Sequence, residues 1–384
     1  MKRRQFIHAA GAAAAGIGAA GLSAAGLGAA SSGAQAQTGG VLPPTRSAEK
    51  PVVWRLASDF PGTLSTPRAG IETLAETLAG ITDNTFAIDA AVPPAKTARQ
   101  QTPALDALQA GDAEIAYTST ALYADRDPVF GIGGGLPFGP NARQFNAWLL
   151  HGGGLDLLND SYRQHGVRAL SGGNTGALTG GWFKSEIATA RDFAGRRVAA
   201  IGLGGPLLER FGAMPQALFP QALGPALADG RIDIAQWTGP HEDERLGLAS
   251  HAPFYYYPGW QGGVQFSFLV RIDAWEALPP RHRAALAAAA ARAHDSVQAH
   301  YDAQNAPAIR RLVAGGTRLR PTPQAVLTEL HSAQEALAGD IATGNPGFRT
   351  IYDSVRIFTA EAYLWWQVAE YTYDNFMIRA RAQG

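Results

Sequence analysis

The chain has 384 residues, 46% of them hydrophobic, and its 32 Lys and Arg balance 32 Asp and Glu for a formal net charge of zero. That balance, with no basic run, excludes nucleic acid and anionic membrane surfaces as principal partners. Cysteine is absent, which excludes a disulfide framework, a thiolate nucleophile and a thiolate-bound metal.

The first segment reads as an address. Lys2 to Ile7 is a charged stretch with paired arginines followed by Phe6-Ile7. A weakly apolar Ala/Gly-rich stretch runs from Ala9 to Ala30, and Ala34-Gln-Ala36 has the small-x-small form of a cleavage site. Residues 1–36 are similar to a twin-arginine signal, which implies export in the folded state to the periplasm. Gln37 to Lys50 is Gly/Pro/Ser-rich and is expected to be a disordered leader. After the signal no further run of about 18 apolar residues occurs, so the mature chain is expected to be soluble.

Alternating strands and helices follow. Val52–Ser58 is a predicted strand. A helix is expected from about Ser65 to Ala79 with Ile71, Leu74 and Leu78 on one face, then a strand Phe86–Val92 and a helix Pro103–Ala110. This order predicts a parallel-type sheet flanked by helices. Ala107–Tyr117 and Ala226–Gln236 echo each other. In each a helix stops at Gly, a charged residue follows, and an Ile-centred strand ends at a polar or aromatic tip. The echo is either common punctuation or the mark of two α/β lobes whose strand tips face a shared cleft that closes by a hinge.

The second lobe is expected from about Gly172, with strand Arg197–Ile201, helix Gly204–Phe211, and strand Ile232–Trp237 running into an acidic helix start, His241-Glu-Asp-Glu244. Trp237, at a strand end before a helix, stands where open α/β sheets place ligand-contacting residues; it reads equally as core. His241–Glu244 reads as an exposed helix N-terminus or, less simply, as acid–base or metal chemistry. Val264–Arg271 is expected to return to the first lobe. Helices are then expected over Pro280–Leu312, Thr322–Leu337 and about Ser354–Ala382. The last carries Phe358, Tyr363, Trp365, Trp366, Tyr371, Tyr373 and Phe376, a surface that must be covered by its own domain or by a partner chain. The histidines show no metal-binding spacing, and no nucleophile elbow or phosphate loop occurs. No catalytic residue is assigned, and no enzyme activity is expected.

Several segments together carry a resemblance. They are Asp127-Pro128 with Gly135–Gly139, Phe145–Trp148 with Gly152–Leu155, Asn174–Gly176 with Gly180–Phe183, Gly202–Gly205, Trp237–Pro240 and Tyr255–Trp260. In this order the chain resembles the solute-binding subunits of tripartite ATP-independent periplasmic (TRAP) transporters, DctP type, nearest the branch that binds α-keto or hydroxy acids. The resemblance implies an α/β, two-lobe periplasmic-binding-protein-like fold with a cleft, a long connecting helix and an extended C-terminal helix. It implies capture of a small organic ligand for TRAP membrane permease subunits, and a homodimer through the C-terminal helix. Lobe 1 is expected over 51–171 plus about 264–300, lobe 2 over 172–263 plus part of the C-terminal helices, and the dimerising aromatic helix over about 354–382.

The chain departs from the branch in the pocket. Where the branch implies a carboxylate-binding arginine, three residues before Gly202, Ala199 stands; Arg197 is the near substitute. Where it implies metal-ligating oxygens, Leu178, Gln236 and the pair Gln261-Gly262 stand, and Ala121 replaces an aromatic. Hard cations want several oxygens and usually carboxylate charge, so no cofactor is expected and Na⁺ or Ca²⁺ is disfavoured. The expected ligand-binding set is Tyr117, Tyr123, Asn174, Leu178, Arg197, Gln236, Trp237 and Trp260, forming a wider and more neutral pocket. An enzyme, carrier or sensor on the same scaffold is the alternative.

Overall fold

A computed structural model describes residues 51–90 and 102–382. The expected signal and leader lie outside the described residues, as do Ala91 and Val92 at the end of the second expected strand. Eleven strands fall among the described residues: β1 (Val52–Ser58), β2 (Phe86–Asp89), β3 (Ile115–Thr118), β4 (Val167–Asn174), β5 (Gly181–Phe183), β6 (Arg197–Ala199), β7 (Met214–Pro215), β8 (Ile234–Ala235), β9 (Phe254–Tyr257), β10 (Gln265–Arg271) and β11 (Arg318–Pro321).

They form two sheets. One has the order β2-β1-β3-β10-β4 and the other β11-β9-β5-β8-β6-β7. In the first, β1 runs parallel to β2 and β3, while β10 enters antiparallel between β3 and β4. Its middle strands are covered on both faces: β3 and all but the last residue of β10 are buried, while β1 alternates buried with exposed or half-buried positions. In the second, β8 has only two residues, paired antiparallel to β5 and parallel to β6, which have three each.

The two echoed segments take the same local form. Helix Ala104–Ala110 ends at Gly111 (φ +78°) before β3, and helix Pro220–Ala228 is followed by Gly230 (φ +69°) before β8. Both glycines adopt the left-handed conformation that a residue with a Cβ enters at a cost, which lets the chain reverse from helix to strand within a few residues.

A helix of 35 residues, Pro280–Ala314, links the two halves. At 1.5 Å per residue it is about 50 Å long. Its buried positions, among them His282, Ala285, Leu286, Ala289, Ala293, Val297, Tyr301, Ala308 and Leu312, recur at three- and four-residue spacing. This stripe packs on helix Ser65–Ile81 and β4 of the first half and on helix Pro240–Arg245 of the second. The approach is close: a Cβ on Gly70 would lie 2.7 Å from Val297 Cγ2.

Two expectations are corrected. His241, Glu242 and Asp243 are buried rather than exposed, although they do open a helix, Pro240–Arg245. They serve as a joint between the halves. Thr66 N–H, at the start of helix Ser65–Ile81, donates to Glu242 Oε1 at 2.8 Å, and Ser65 Oγ bonds His241 Nε2 at 2.8 Å. Asp243 Oδ2 accepts from Trp182 Nε1 at 2.9 Å and Tyr255 Oη at 2.8 Å, beneath a stacked Trp182–Tyr255 pair.

The terminal helix, expected as one piece from Ser354, is two: Pro346–Val368 and Glu370–Ala382, divided at Ala369 (φ −100°, ψ −88°). Its true start is the Asn345-Pro346 pair. Asn345 Oδ1 accepts Phe348 N–H at 2.9 Å, and proline suits the first helical position. Nothing in the local sequence accounts for the break at Ala369. Beyond Phe358, which packs against the core, the aromatics Tyr363, Trp365, Tyr371, Tyr373 and Phe376 are exposed on the single chain, so its own domain does not cover them.

Candidate functional site

After β3 the chain turns through Thr120–Tyr123; after β8 it presents Gln236 and Trp237. Both strand tips open on the same cavity, of about 420 Å³, within the ordinary range for small-molecule sites. One wall comes from Ala121 and Tyr123 of the first half. The opposite wall comes from Ala199, Gly202, Gly205, Leu223, Gln236 and Trp237 of the second. Asp125, Arg126, Glu209 and Gln216 are exposed and stand at the rim. Elsewhere the halves meet directly: Leu203 belongs to the same apolar cluster as Tyr123 and Phe130. The Trp237 ring lies 6.4 Å from the Phe60 ring across the division.

The inner wall is uncharged, and in and behind it are buried polar atoms with no partner in the protein. Gln236 and Gln261 are almost fully buried. The Gln236 amide donates from Nε2 to Thr179 O at 3.3 Å, and that of Gln261 from Nε2 to Ile201 O at 3.2 Å. Flipping either amide would set oxygen against a carbonyl oxygen, so in both the Oε1 acceptor is the atom left over. Gln236 Oε1 and Gln261 Oε1 have no hydrogen-bond partner, and neither have the indole N–H groups of Trp237 and Trp260. Each such buried group is worth about 1–3 kcal/mol when left unpaired. Two of them converge. A Cβ on Gly204 would lie 3.4 Å from Trp260 Nε1 and 3.7 Å from Gln236 Oε1.

Behind Tyr123 the polar groups are spoken for. Asp59 is fully buried and accepts Tyr123 Oη at 2.5 Å, Ala104 N–H at 2.9 Å and the Thr118 hydroxyl. Burial pushes the Asp59 carboxyl above the usual carboxylate range, against the pull of these donors. Tyr123 therefore offers its ring to the cavity, with its hydroxyl already engaged. At the rim Arg126 forms an ion pair with Asp106 through both terminal nitrogens and lies 5.2 Å from the Tyr123 ring. Hydrogen bonding to Asp106 raises the Arg126 pKa above its ordinary value.

Of the residues singled out from the sequence, Tyr123, Gln236 and Trp237 line the cavity. Trp260 is outside that lining, buried beside Gly204. The other four are elsewhere. Tyr117 is core, its hydroxyl donating to Gly172 O at 2.8 Å and its ring stacked on Phe268 at 4.5 Å. Asn174 holds β4 to β10, donating to Gln265 Oε1 at 3.1 Å and accepting Gly176 N–H at 3.0 Å. Leu178 is buried in the apolar core, its backbone bonded to Gln261 and Gly259.

Arg197 does not take the place of an anchor at Ala199. It is committed to Asp233, with Nε 3.0 Å and Nη2 2.8 Å from the two carboxylate oxygens, while Ala199 itself lines the cavity. Burial raises Asp233, but the Arg197 hydrogen bonds outweigh it and hold the carboxyl below its ordinary value. Sequence reasoning missed the rim group Arg126 and the wall from Pro215 to Phe219. The only sequence signal for that wall is the apolar Leu218-Phe219-Pro220 run before a helix.

Among the described residues no helix is long and apolar enough to cross a membrane, and no cluster of three His, Cys, Asp or Glu converges as a metal site would.

Known proteins share this architecture. Residues 61–344 match the profile of the bacterial extracellular solute-binding proteins, family 7, the DctP family. The chain is 36% identical over 329 residues to the monocarboxylate 2-oxoacid-binding periplasmic protein of Nostoc sp. (strain PCC 7120), covering 85% of this chain and 89% of that one. A TRAP transporter solute-binding protein of Bordetella bronchiseptica RB50, a dimer with calcium and picolinate bound in one active site, superposes with a TM-score of 0.82. It is 34% identical and matches over 87% of this chain and 99% of its own. One from Pseudoalteromonas atlantica T6c with sodium and pyruvate bound gives a TM-score of 0.81 at 26% identity, over 85% and 99% of the two chains.

Proposed function

The chain belongs to the DctP family of bacterial extracellular solute-binding proteins, and from that premise we propose that it captures one small organic ligand in the cavity between its halves and hands it to TRAP permease subunits. The observation that carries the ligand site is the cavity itself, walled by both halves. Tyr123, Gln236 and Trp237 in its walls are the contacts, with Trp260 buried beside Gln236. The halves correspond to lobes of residues 51–171 with about 264–300 and of 172–263 with part of the C-terminal helices.

The pocket is neutral and works without a bridging cation. Calcium takes six to eight oxygens and favours carboxylates. Here the lining offers the amide of Gln236, and its carboxylates, Asp125 and Glu209, are exposed. That donor set does not fit the calcium described for the Bordetella relative. Export by the twin-arginine route accords with Lys2–Ile7, and a second copy covering the exposed aromatics of Pro346–Ala382 accords with the dimer described for the same relative.

The test is a thermal-shift screen of the purified mature chain against organic acids and neutral compounds, with and without Ca²⁺ and Na⁺. An organic ligand is expected to raise Tm by several degrees and to do so equally in EDTA. A shift with pyruvate or lactate that appears only with the cation overturns the cation-free pocket.

A further inference from the structure

We propose that Asp59, which does not line the cavity, is a positioning residue for ligand binding. Through Tyr123 and the start of helix Ala104–Ala110 it fixes the wall that the first half presents. The proposal rests on the solute-binding reading above and adds a residue that acts on the site from behind.

Asp59 follows β1 directly and is fully buried, outside the residues that line the cavity. A buried carboxyl is costly unless it is hydrogen-bonded, and each of its oxygens is met by a segment that reaches the cavity. Oδ1 accepts Ala104 N–H at 2.9 Å. That amide opens helix Ala104–Ala110, whose N-cap is Pro103, a residue with no side-chain acceptor, so the carboxylate supplies the cap from another element. Pro103 itself lines the cavity. Oδ2 accepts from the Tyr123 hydroxyl at 2.5 Å and also from Thr118. Leu105 N–H donates to Tyr123 Oη at 3.0 Å, which ties the helix start to the turn Thr120–Tyr123.

The Tyr123 ring, a part of the cavity wall, is thus held at both ends: by its backbone in that turn and by its hydroxyl on the carboxylate. A buried tyrosine hydroxyl needs a hydrogen-bond partner. Without the carboxylate the ring is expected to swing its hydroxyl toward the cavity, taking up ligand room. Thr118 serves as an internal control, since it donates to the same oxygen but does not line the cavity. A carboxyl that only stabilised the fold would make the two hydroxyls equivalent. One that positions the wall makes only the Tyr123 hydroxyl matter to a ligand.

The test uses the mature chain and the variants Asp59→Asn, Tyr123→Phe, the two combined, and Thr118→Val. Asp59→Asn keeps the size of the side chain but leaves one acceptor oxygen where there were two. Tyr123→Phe keeps the ring and removes the hydroxyl. The probe is the tightest binder among pyruvate, hexanoate, picolinate and nicotinamide, titrated calorimetrically in EDTA and again with Ca²⁺. Asp59→Asn and Tyr123→Phe are each expected to weaken it by about fivefold or more, and the double variant no further than the worse single, because both break one linkage. Thr118→Val is expected to keep the affinity within about twofold even where its Tm falls. A second measurement needs no ligand. In chains labelled with 3-fluorotyrosine, the fluorine line missing from Tyr123→Phe belongs to Tyr123. That line is expected to be single and narrow in wild type and in Thr118→Val, and to broaden or split in Asp59→Asn as the ring takes more than one position.

Wild-type affinity in Asp59→Asn, additive losses in the double variant, or an equal loss in Thr118→Val overturns the positioning role and leaves the solute-binding reading standing. A single narrow Tyr123 line in Asp59→Asn also overturns it. If Asp59→Asn does not fold, the contrast between Tyr123→Phe and Thr118→Val decides. No binding of any of the four compounds by wild type overturns the solute-binding reading instead, and the fluorine line alone then decides whether Asp59 holds the ring.

Discussion

Residues 236–237 and 241–243 stand on either side of one Thr238-Gly239-Pro240 turn, all of them buried, but only the first pair lines the cavity. On the near side Gln236 Oε1 and the Trp237 indole N–H have no partner in the protein, on residues that line the cavity. On the far side Asp243 accepts from Trp182 and Tyr255, and Glu242 and His241 grip the start of helix Ser65–Ile81. Burial alone therefore does not separate a binding group from a structural one. Position does: the far side spends acceptors on other elements of the fold, although His241 Nδ1 and Glu242 Oε2 stay unpaired there too, while the near side stands in the cavity wall.

The far end carries the largest expected effect on stability. Asp243→Ala strands the Trp182 N–H and the Tyr255 hydroxyl, and is expected to cost about 2–4 kcal/mol in urea unfolding at pH 5. Ligand affinity is expected to stay within about twofold. Burial pushes the Asp243 carboxyl up from 3.8 to about 7. A raised carboxyl pKa favours the protonated form in the fold, so the contribution is intact below the unfolded value near 4. It is lost as pH climbs toward about 7 and is flat above. The stability of wild type relative to Asp243→Asn is expected to fall over that window and only there. A difference that does not vary with pH would detach the carboxyl from this role.

The near side is expected to behave in reverse. Gln236→Leu removes an acceptor the protein does not use, at the expense of one long donation to Thr179 O. Ligand-free stability is expected to hold or to rise by up to about 1 kcal/mol, because an unpaired buried polar atom is gone. Affinity for a ligand found by the thermal-shift screen is expected to drop at least tenfold, since Gln236 lines the cavity. A large loss of stability with affinity preserved would show that the two sides of the turn do the same job.

Much of the frame was legible before any coordinates. Period-two and period-3.6 patterns located β1, helix Ser65–Ile81 and the long helix, since those elements bury one regular face. The Gly111 and Gly230 stops marked where helices turn into the strands that point at the cavity. What the letters could not convey is which atoms are left over. Asn174 and Gln236 are both buried amides in ligand-like positions, yet Asn174 is spent on Gln265 and Gly176, and only the three-dimensional partner list separates them. The acidic run His241–Glu244 misled because helix dipole logic explains acids at a helix start whether exposed or buried. Only the docking of Thr66 N–H on Glu242 shows that this start is a joint.

Arg197 supplies the smallest expected effect and the sharpest check on which charges matter. Strand alternation sets it on the same face as Ala199, and a lone arginine near a cavity invites the role of carboxylate anchor. Its guanidinium is instead held on both oxygens of Asp233 at the protein surface, and hydrogen bonding to Asp233 keeps its pKa above the ordinary value. An exposed pair of this kind contributes little and is screened by salt. Arg197→Ala is expected to lower Tm by about 1 °C or less, with even that difference fading in high salt, and to leave ligand affinity unchanged. A tenfold loss of affinity would mean that Arg197 leaves Asp233 to meet a ligand carboxylate. The uncharged inner wall would then describe the ligand-free protein alone, and the contrast between the two sides of the turn would have to be redrawn around a charge that moves.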